Sequence, residues 1–502
     1  MNISEILMDN SSLHSSQFGM GNVTKEDEEI FEQNKYNFIY ALGFICLTLY
    51  IGVICKEWLK RLQFPYTALL FLFGCFLGIL DHNFKKFRVM TDFAKFDSKL
   101  MMHLFLPVII YESAYSMDPH MFIMALTQCF VLAVPGLRAF DQRMTISSAL
   151  KPTITIIVNM GSMLPLSFGA FFLETSKYTS SAVCIIVEEE VYEDVLCSSL
   201  TAAFAKYILA AYEWEWSVCF VFGTILSATD PVAVVALLKD CSISPSLTTL
   251  IEGESLLNDG TAIVLFDSLL KVYRGGEFSV GNIAYEFVYI VGISVTVSYL
   301  ISVATIALLR RIELDTDSEV TFTFCIAYLT YYMSEISVGV SGVLSVVVLG
   351  VCISSYKSSI NYEVHETSTV HQFWETLSFW ANTLIFTIVG TIVAARNFND
   401  FGPSDIGFVI ATYAAVTAFR ALMITVLSPI LESIGYGFNW NYGAVLVWGG
   451  LRGAVGLALV LISQYSIPSK IANQLLMQVS GIIFLTLVLN APNDEDSVKP
   501  FR

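Results

Sequence analysis

Two acidic residues lie within apolar stretches of this sequence, and they are its strongest candidates for chemistry. Asp230 occurs in the string SATDPVA at 227–233, and Asp259 occurs in the string EGESLLNDGT at 252–261. Placing a carboxylate at bilayer depth costs about 2.5–3.5 kcal/mol on insertion scales, so such a residue is usually retained for a function. The chemistry that this cost indicates is cation binding, proton relay or both.

The first string places a proline directly after its aspartate. Because Pro231 has no backbone N–H and its ring clashes with the preceding turn, it predicts a helix interrupted near Thr229 and Asp230. Such breaks leave backbone carbonyls and helix ends free to coordinate ions where they line a cavity. The alternative is a simple proline kink in which Asp230 is hydrogen-bonded.

The second string predicts two pairs of polar side chains on one helix. Ser255 and Asp259 stand at i and i+4, and Glu254 and Asn258 form a second such pair on the adjacent face. Hydroxyl and carboxylate oxygens are hard ligands that suit small alkali cations. We therefore expect Ser255 and Asp259 to face an ion, and Glu254 and Asn258 to face neighbouring helices. The alternative is that both carboxylates are structural and partnered.

Four further polar residues lie in apolar stretches. Intramembrane arginines almost always face the protein interior and pair, so Arg420 and Arg452 are predicted to form structural ion pairs, with Glu254 as one candidate partner. Glu112 lies either at a cavity mouth or at a solvated helix end. Asn382 is either a ligand or a contact between helices.

The composition predicts that helices spanning a membrane position these residues. The sequence is 55% hydrophobic and only 14% charged, whereas soluble proteins carry about 25% charged residues. The formal charge of −17 argues against nucleic acid as a partner. Apolar runs long enough to cross a bilayer are predicted at 37–55, 64–80, 100–116, 121–137, 200–213, 216–239, 250–273, 281–310, 319–334, 338–356, 370–396, 405–431, 442–463 and 469–490.

Three segments fall outside this pattern. We expect a polar tail at 1–36, a transmembrane domain at 37–490 and a short stub at 491–502. Within the domain, residues 138–197 carry charge clusters that lipid rejects. We expect this segment to be extruded as an atypical insertion, with 153–173 lying at the periphery.

The strings together resemble the monovalent cation/proton antiporter superfamily, on its sodium/proton exchanger branch. The resemblance rests on SATDPVAV at 227–234, GESLLND at 253–259, GGLRGA at 449–454 and FLP at 105–107, in that order and spacing. Details around Asp259 resemble most closely the sperm-specific exchangers and their plant and bacterial relatives. The similarity covers about 37–137 and 198–490.

The resemblance implies an all-α polytopic fold of about 13 transmembrane helices, with inverted repeats and two crossing interrupted helices. It implies that Asp259 exchanges a proton for sodium, with Thr229 and Asp230 at the crossing. It also implies that Asn258 marks electroneutral exchange and that Arg420 pairs with Glu254. The expected partners are sodium, protons, the lipid bilayer and a second copy of the chain, with no cofactor.

The expected function is therefore sodium/proton antiport that regulates intracellular pH at the plasma membrane, with the sperm flagellum implied by the family. The insertion interrupts what the family makes one span, and the regulatory regions expected after the transport domain are absent from residues 1–502. A transport-inactive subunit is therefore an alternative. An intramembrane aspartyl protease is a remote one, because neither Asp230 nor Asp259 lies in the strings of those enzymes.

Overall fold

The computed structural model describes most of the chain outside one long central gap. The described residues are 25–59, 65–83, 98–117, 197–231, 234–235, 238, 245–275, 280–309, 311, 315–359, 364–397, 402–433 and 440–490. None of them forms a β-strand. The predicted all-α polytopic membrane fold is confirmed.

Within the described residues, each predicted apolar run contains a helix, although two of the runs are interrupted. The bounds of the helices are α1 Lys25–Leu59, α2 Tyr66–Asn83, α3 Ser98–Ser116, α4 197–208, α5 Trp216–Ile225, α6 Pro245–Tyr273, α7 Val280–Leu309, α8 Thr316–Tyr332, α9 Gly342–Ser359, α10 Val364–Asn397, α11 Pro403–Ser433, α12 Trp440–Trp448, α13 Ala454–Ser466 and α14 Ser469–Asn490. A π-helical turn, Met333–Val338, continues α8.

Five of these helices are long and apolar enough to cross a membrane by length and composition. The five segments are Tyr40–Glu57, Tyr289–Leu309, Thr369–Ala395, Ser404–Val426 and Ser469–Asn490. Four shorter apolar helices accompany them among the described residues. The shorter ones include α5, α9 and α13. Of these, α5 and α13 border the two helix interruptions described below.

Helix α10 lies at the centre of the bundle and packs against α2, α3, α13 and α14. Its contact with α2 is close because Gly74 and Gly390 lack side chains: a Cβ atom on Gly74 would overlap the backbone of Thr387, and one on Gly390 would overlap that of Phe71. Small residues allow helix backbones in membranes to approach in this way. Further along α10, the fully buried ring of Trp374 packs against that of Tyr111 on α3, with ring centroids 4.3 Å apart.

Two helices are broken in the interior of the bundle. The predicted span 216–239 ends its first helix, α5, at Ile225, is non-helical at 228–231, and is helical again at 234–235. The break predicted at Asp230 is confirmed. The second break was not located by the sequence: the span predicted as continuous over 442–463 is wrong, because α12 ends at Trp448 and α13 begins at Ala454.

Several predicted segments lie outside the described residues. These are the span at 121–137, the insertion at 138–197 except for its last residue, the stub at 491–502 and the first 24 residues of the polar tail. Residues 25–36 of that tail belong to α1, so the first helix begins earlier than its apolar run.

Candidate functional site

The two broken segments meet at Asp230. Its backbone N–H donates a hydrogen bond of 2.8 Å to the backbone carbonyl of Leu451, so 228–231 and 449–453 touch at their non-helical parts. The approach requires a glycine, because a Cβ atom on Gly453 would overlap the side chain of Asp230. A break in each helix is tolerated here because the freed backbone groups bond to one another and to neighbouring side chains.

Helix α6 lies directly against this crossing and contributes two polar side chains to Thr229. The Ser255 hydroxyl donates to the Thr229 carbonyl, and the Asn258 amide donates to the Thr229 hydroxyl at 3.4 Å. All three side chains are buried. Ser255 and Asn258 were predicted on different faces of α6, yet both reach the same residue of the broken helix, which pattern alone did not reveal.

Asp259 follows Asn258 on α6 and is half-buried. Its Oδ1 atom is buried, while the residue as a whole keeps partial exposure. Glu112 is half-buried on α3, a helix that packs against α6. The structure therefore places three carboxylates on neighbouring elements of one region.

The fixed charges in this region are paired. Arg420 on α11 donates from Nη2 to Glu254 Oε1 at 2.7 Å, and both side chains are buried. The Nε atom of Arg420 also donates to the carbonyl of Leu446 at 2.9 Å. The pair that the resemblance implied is therefore present in the structure. Burial makes such a pair sensitive to the loss of either partner.

The second arginine bonds to backbone. Arg452 Nη1 donates to the carbonyls of Ser227 at 2.6 Å and Ala228 at 3.2 Å. These carbonyls follow the end of α5, just as Leu446 lies at the end of α12. Each broken helix thus ends against an arginine, which compensates the negative end of a helix dipole. These contacts tie Arg452 to the end of α5, and the ion pair predicted for it stays a prediction.

A small polar cavity lies beside the two arginines. Its volume is about 20 Å³, and its lining includes Ser227, Asn258, Arg420 and Arg452. A cavity of this size holds about one water molecule, provided that it offers polar partners. Among the described residues, no group of three or more His, Cys, Asp and Glu side chains could hold a metal ion, so any cation bound here would need hydroxyl, amide and carbonyl oxygens as well.

Asn382 lies on α10 and is 8% exposed. Its Oδ1 atom is buried and accepts no hydrogen bond from the described residues. Asn382 is not among the hydrogen bonds that build the crossing, and the two roles predicted for it, a ligand or a contact between helices, stay predictions.

Three residues at the site escaped the sequence analysis: Tyr413, Thr486 and Asn490. Thr486 accepts a hydrogen bond from the backbone N–H of Arg452 at 3.3 Å, and Asn490 donates to the carbonyl of Trp448 at 3.3 Å. The signal that could have found them is their spacing, since Thr486 and Asn490 stand one helical turn apart within an apolar span.

Comparison with known protein families shows to which family the chain belongs. The family described as "Sodium/hydrogen exchanger, transmembrane" matches residues 45–492. The chain belongs to the sodium/hydrogen exchanger family. That membership places it among transporters rather than enzymes, so the aspartyl protease alternative is wrong. The finer placement with the sperm-specific members stays a prediction.

Two plant members of the family are similar over nearly the whole chain. Sodium/hydrogen exchanger 7 of Arabidopsis thaliana is 32% identical over 476 residues, which are 92% of this chain and 36% of that protein. Sodium/hydrogen exchanger 8 of the same plant is 30% identical over 473 residues, which are 91% of this chain and 55% of that protein. The chain thus spans between a third and a little over half the length of these relatives.

The fold is also shared with a solved exchanger. The sodium proton antiporter MjNhaP1 from Methanocaldococcus jannaschii superimposes with a TM-score of 0.62 at 17% identity, covering 91% of this chain and 97% of that one. At this identity the likeness establishes the architecture alone, and it supports the polytopic fold of this family member.

Proposed function

We propose that this chain exchanges sodium for protons across a membrane. The observation that carries the proposal is the bond from Asp230 to Leu451, which joins two broken helices in the interior of the bundle directly beside α6. Crossed breaks next to a half-buried carboxylate offer ion ligands without lipid-exposed backbone. The names of the plant relatives, which describe sodium/hydrogen exchangers, support the same substrates.

Asp259 is the group that we propose to bind the two ions in turn. In its ionised form the carboxylate attracts sodium, and in its protonated form it does not, so each ion excludes the other. Thr229 and Ser255 stand close by and supply hydroxyl oxygens, the hard ligands that alkali cations prefer. Half-burial of Asp259 leaves part of its surface open to ions.

The other charges near the crossing have a different task. Glu254 is held by Arg420, and Arg452 is held by the carbonyls of Ser227 and Ala228. The Arg420 guanidinium already serves as the cationic partner of Glu254. This leaves Asp259 as the carboxylate whose protonation competes with the cation, while Asp230 is anchored at the crossing through its backbone.

We also propose that exchange is electroneutral and needs no cofactor, that the chain regulates intracellular pH from the plasma membrane, and that it acts as a homodimer. Asn258 supports the first point, because it places an amide where a second acidic group would add charge to the transported complex. The dimer, the plasma membrane and the sperm flagellum rest on the resemblance alone.

The experiment that tests this proposal is a flux measurement in reconstituted vesicles. Purified full chain is incorporated into liposomes loaded with a pH-sensitive dye, and a sodium gradient is imposed. We expect sodium-dependent proton movement in the direction opposite to sodium, and no response to an equal gradient of choline. If vesicles with correctly inserted, folded protein show no proton movement with sodium, lithium or potassium, the proposed function is wrong.

A further inference from the structure

The last helix of the bundle carries two buried polar residues along the second break. Thr486 and Asn490 on α14 are 3% and 2% exposed, and they lie one turn apart on the side of α14 that faces 449–453. Buried polar groups in an apolar environment are costly unless they are hydrogen-bonded. Their partners therefore indicate what this face of α14 holds in place.

Each of the two side chains bonds to backbone at the break, and the Thr486 hydroxyl also donates to the Ile483 carbonyl of its own helix at 2.8 Å. Asn490 Nδ2 donates to the carbonyl of Trp448, the last residue of α12, at 3.3 Å. Thr486 Oγ1 accepts from the N–H of Arg452, in the segment just before α13, at 3.3 Å. One helix thus bonds to the chain on both sides of the interruption, where no helical hydrogen bond is available.

A third side chain sets the orientation of the Asn490 amide. The hydroxyl of Tyr413 on α11 donates to Asn490 Oδ1 at 2.6 Å. Because Oδ1 is the acceptor in this bond, the donor Nδ2 is directed toward Trp448. A cavity of about 10 Å³ adjoins the three side chains and Gly450, and this volume leaves room for at most about one water molecule. Water therefore has little space to replace a lost side-chain bond.

We infer that Tyr413, Thr486 and Asn490 are positioning residues for the ion exchange proposed above, on which this inference rests. They hold the segment whose Leu451 carbonyl anchors Asp230 and whose Arg452 side chain compensates the end of α5. None of the three needs to touch the transported ion. Loosening them shifts the crossing, and with it the oxygen atoms that surround the cation.

Two substitutions of Thr486 separate this role from simple packing. Thr486→Val keeps the shape of the side chain and removes the acceptor, whereas Thr486→Ser keeps the acceptor and removes a methyl group. Thr412→Val on α11 is a matched control, because the buried Thr412 hydroxyl donates to the Phe408 carbonyl of its own helix. Tyr413→Phe tests the third member by removing only the hydroxyl.

The first measurement is hydrogen exchange of the full chain in detergent, followed at the Arg452 amide. A hydrogen bond contributes about 1 kcal/mol, so its loss should speed exchange about fivefold in Thr486→Val. Thr486→Ser and Thr412→Val should match the wild type. Unchanged protection of Arg452 in Thr486→Val would overturn the inference, and this readout does not depend on transport.

The second measurement is the sodium dependence of proton flux in vesicles. We expect Thr486→Val and Tyr413→Phe to raise the sodium concentration for half-maximal flux at least about threefold, with Thr486→Ser close to the wild type. A half-maximal concentration unchanged in both variants would overturn the positioning role even if exchange at Arg452 rises. Absence of flux in the wild type would instead reject the proposed function, and hydrogen exchange would then decide whether α14 holds the break.

Discussion

The backbone N–H of Asp230 and the backbone carbonyl of Leu451 are joined by a 2.8 Å hydrogen bond, although the two residues lie in different broken helices. Neither residue offers its side chain to this bond. The crossing is therefore fixed by main chain, and it depends on the residues that allow the two segments to approach.

The close approach of the two broken helices leaves no room for a side chain at Gly453. In Gly453→Ala the added Cβ atom would overlap the side chain of Asp230, so one segment must move. We expect a loss of about 1–3 kcal/mol, typical of overpacking, with flux lost before folding. The measurement is melting temperature in detergent together with sodium-dependent flux.

Gly292→Ala on α7 is the control for that substitution, because nothing lies within 4 Å of the added Cβ atom. It should leave both melting and flux unchanged. Equal behaviour of the two alanine variants would contradict the claim that Gly453 permits the crossing.

The buried pair of Glu254 and Arg420 should be coupled. Removing one partner of a buried pair costs about 3–5 kcal/mol because the other charge is left uncompensated. Glu254→Gln and Arg420→Gln should each lower the melting temperature, and the double variant should be less damaged than the sum. The double variant will still be weaker than wild type, because Arg420 also bonds the Leu446 carbonyl.

An exposed pair provides the comparison. Lys271 and Glu286 are 2.6 Å apart, but their side chains are 59% and 40% exposed, and such pairs contribute about 0–1 kcal/mol. Neutralising either of them should hardly change melting. If the changes in melting temperature for Glu254→Gln and Arg420→Gln were additive, as we expect at this surface pair, Glu254 and Arg420 would not be coupled.

The sequence predicted the long helices well because hydropathy is a local property. It also located the break at Asp230, since Pro231 cannot continue a regular helix. The break after Trp448 escaped because Gly449, Gly450 and Gly453 are ordinary residues of membrane helices, and only the approach of another backbone explains them.

The partners of the site residues were less predictable. Glu254 and Arg420 are 166 positions apart. Their pairing was predicted from the resemblance to a family and not from the pattern of residues. The role of Thr486 was missed because its partner is a backbone amide exposed by a break that the sequence did not locate. Contacts of this kind depend on the crossing, which exists only in the folded bundle.

Asp259→Asn should abolish sodium-dependent proton flux while leaving the protein folded. Asparagine has nearly the same shape but cannot take up a proton, so the competition between the two ions disappears. Asp267→Asn is the matched control, since Asp267 is an exposed carboxylate on the same helix. Flux near the wild-type level in Asp259→Asn would exclude this residue as the shared carboxylate.

The wild type should also bind sodium more weakly as the pH falls, because protons occupy the same carboxylate. The sodium concentration for half-maximal flux is expected to rise by nearly tenfold for each pH unit below the pKa of Asp259 in the site. A half-maximal concentration that does not change with pH would mean that sodium and protons bind at separate places.

Exchange by the wild type should be independent of membrane voltage. If Asp259 carries either one proton or one sodium ion, the two loaded forms of the protein have the same charge. The charges of all other groups are the same whichever ion is carried, so they add no net charge movement to the exchange. Asn258 adds no charge of its own. The measurement is proton flux in vesicles clamped at several voltages by potassium and valinomycin, at equal sodium gradients. Adding a sodium-conducting ionophore to the same vesicles is the control, because sodium entry must then follow voltage. If the ratio of sodium and proton gradients at which the flux reverses shifted with voltage, the exchange would move net charge and would require a second titrating group, and Asp230 would be the first residue to test.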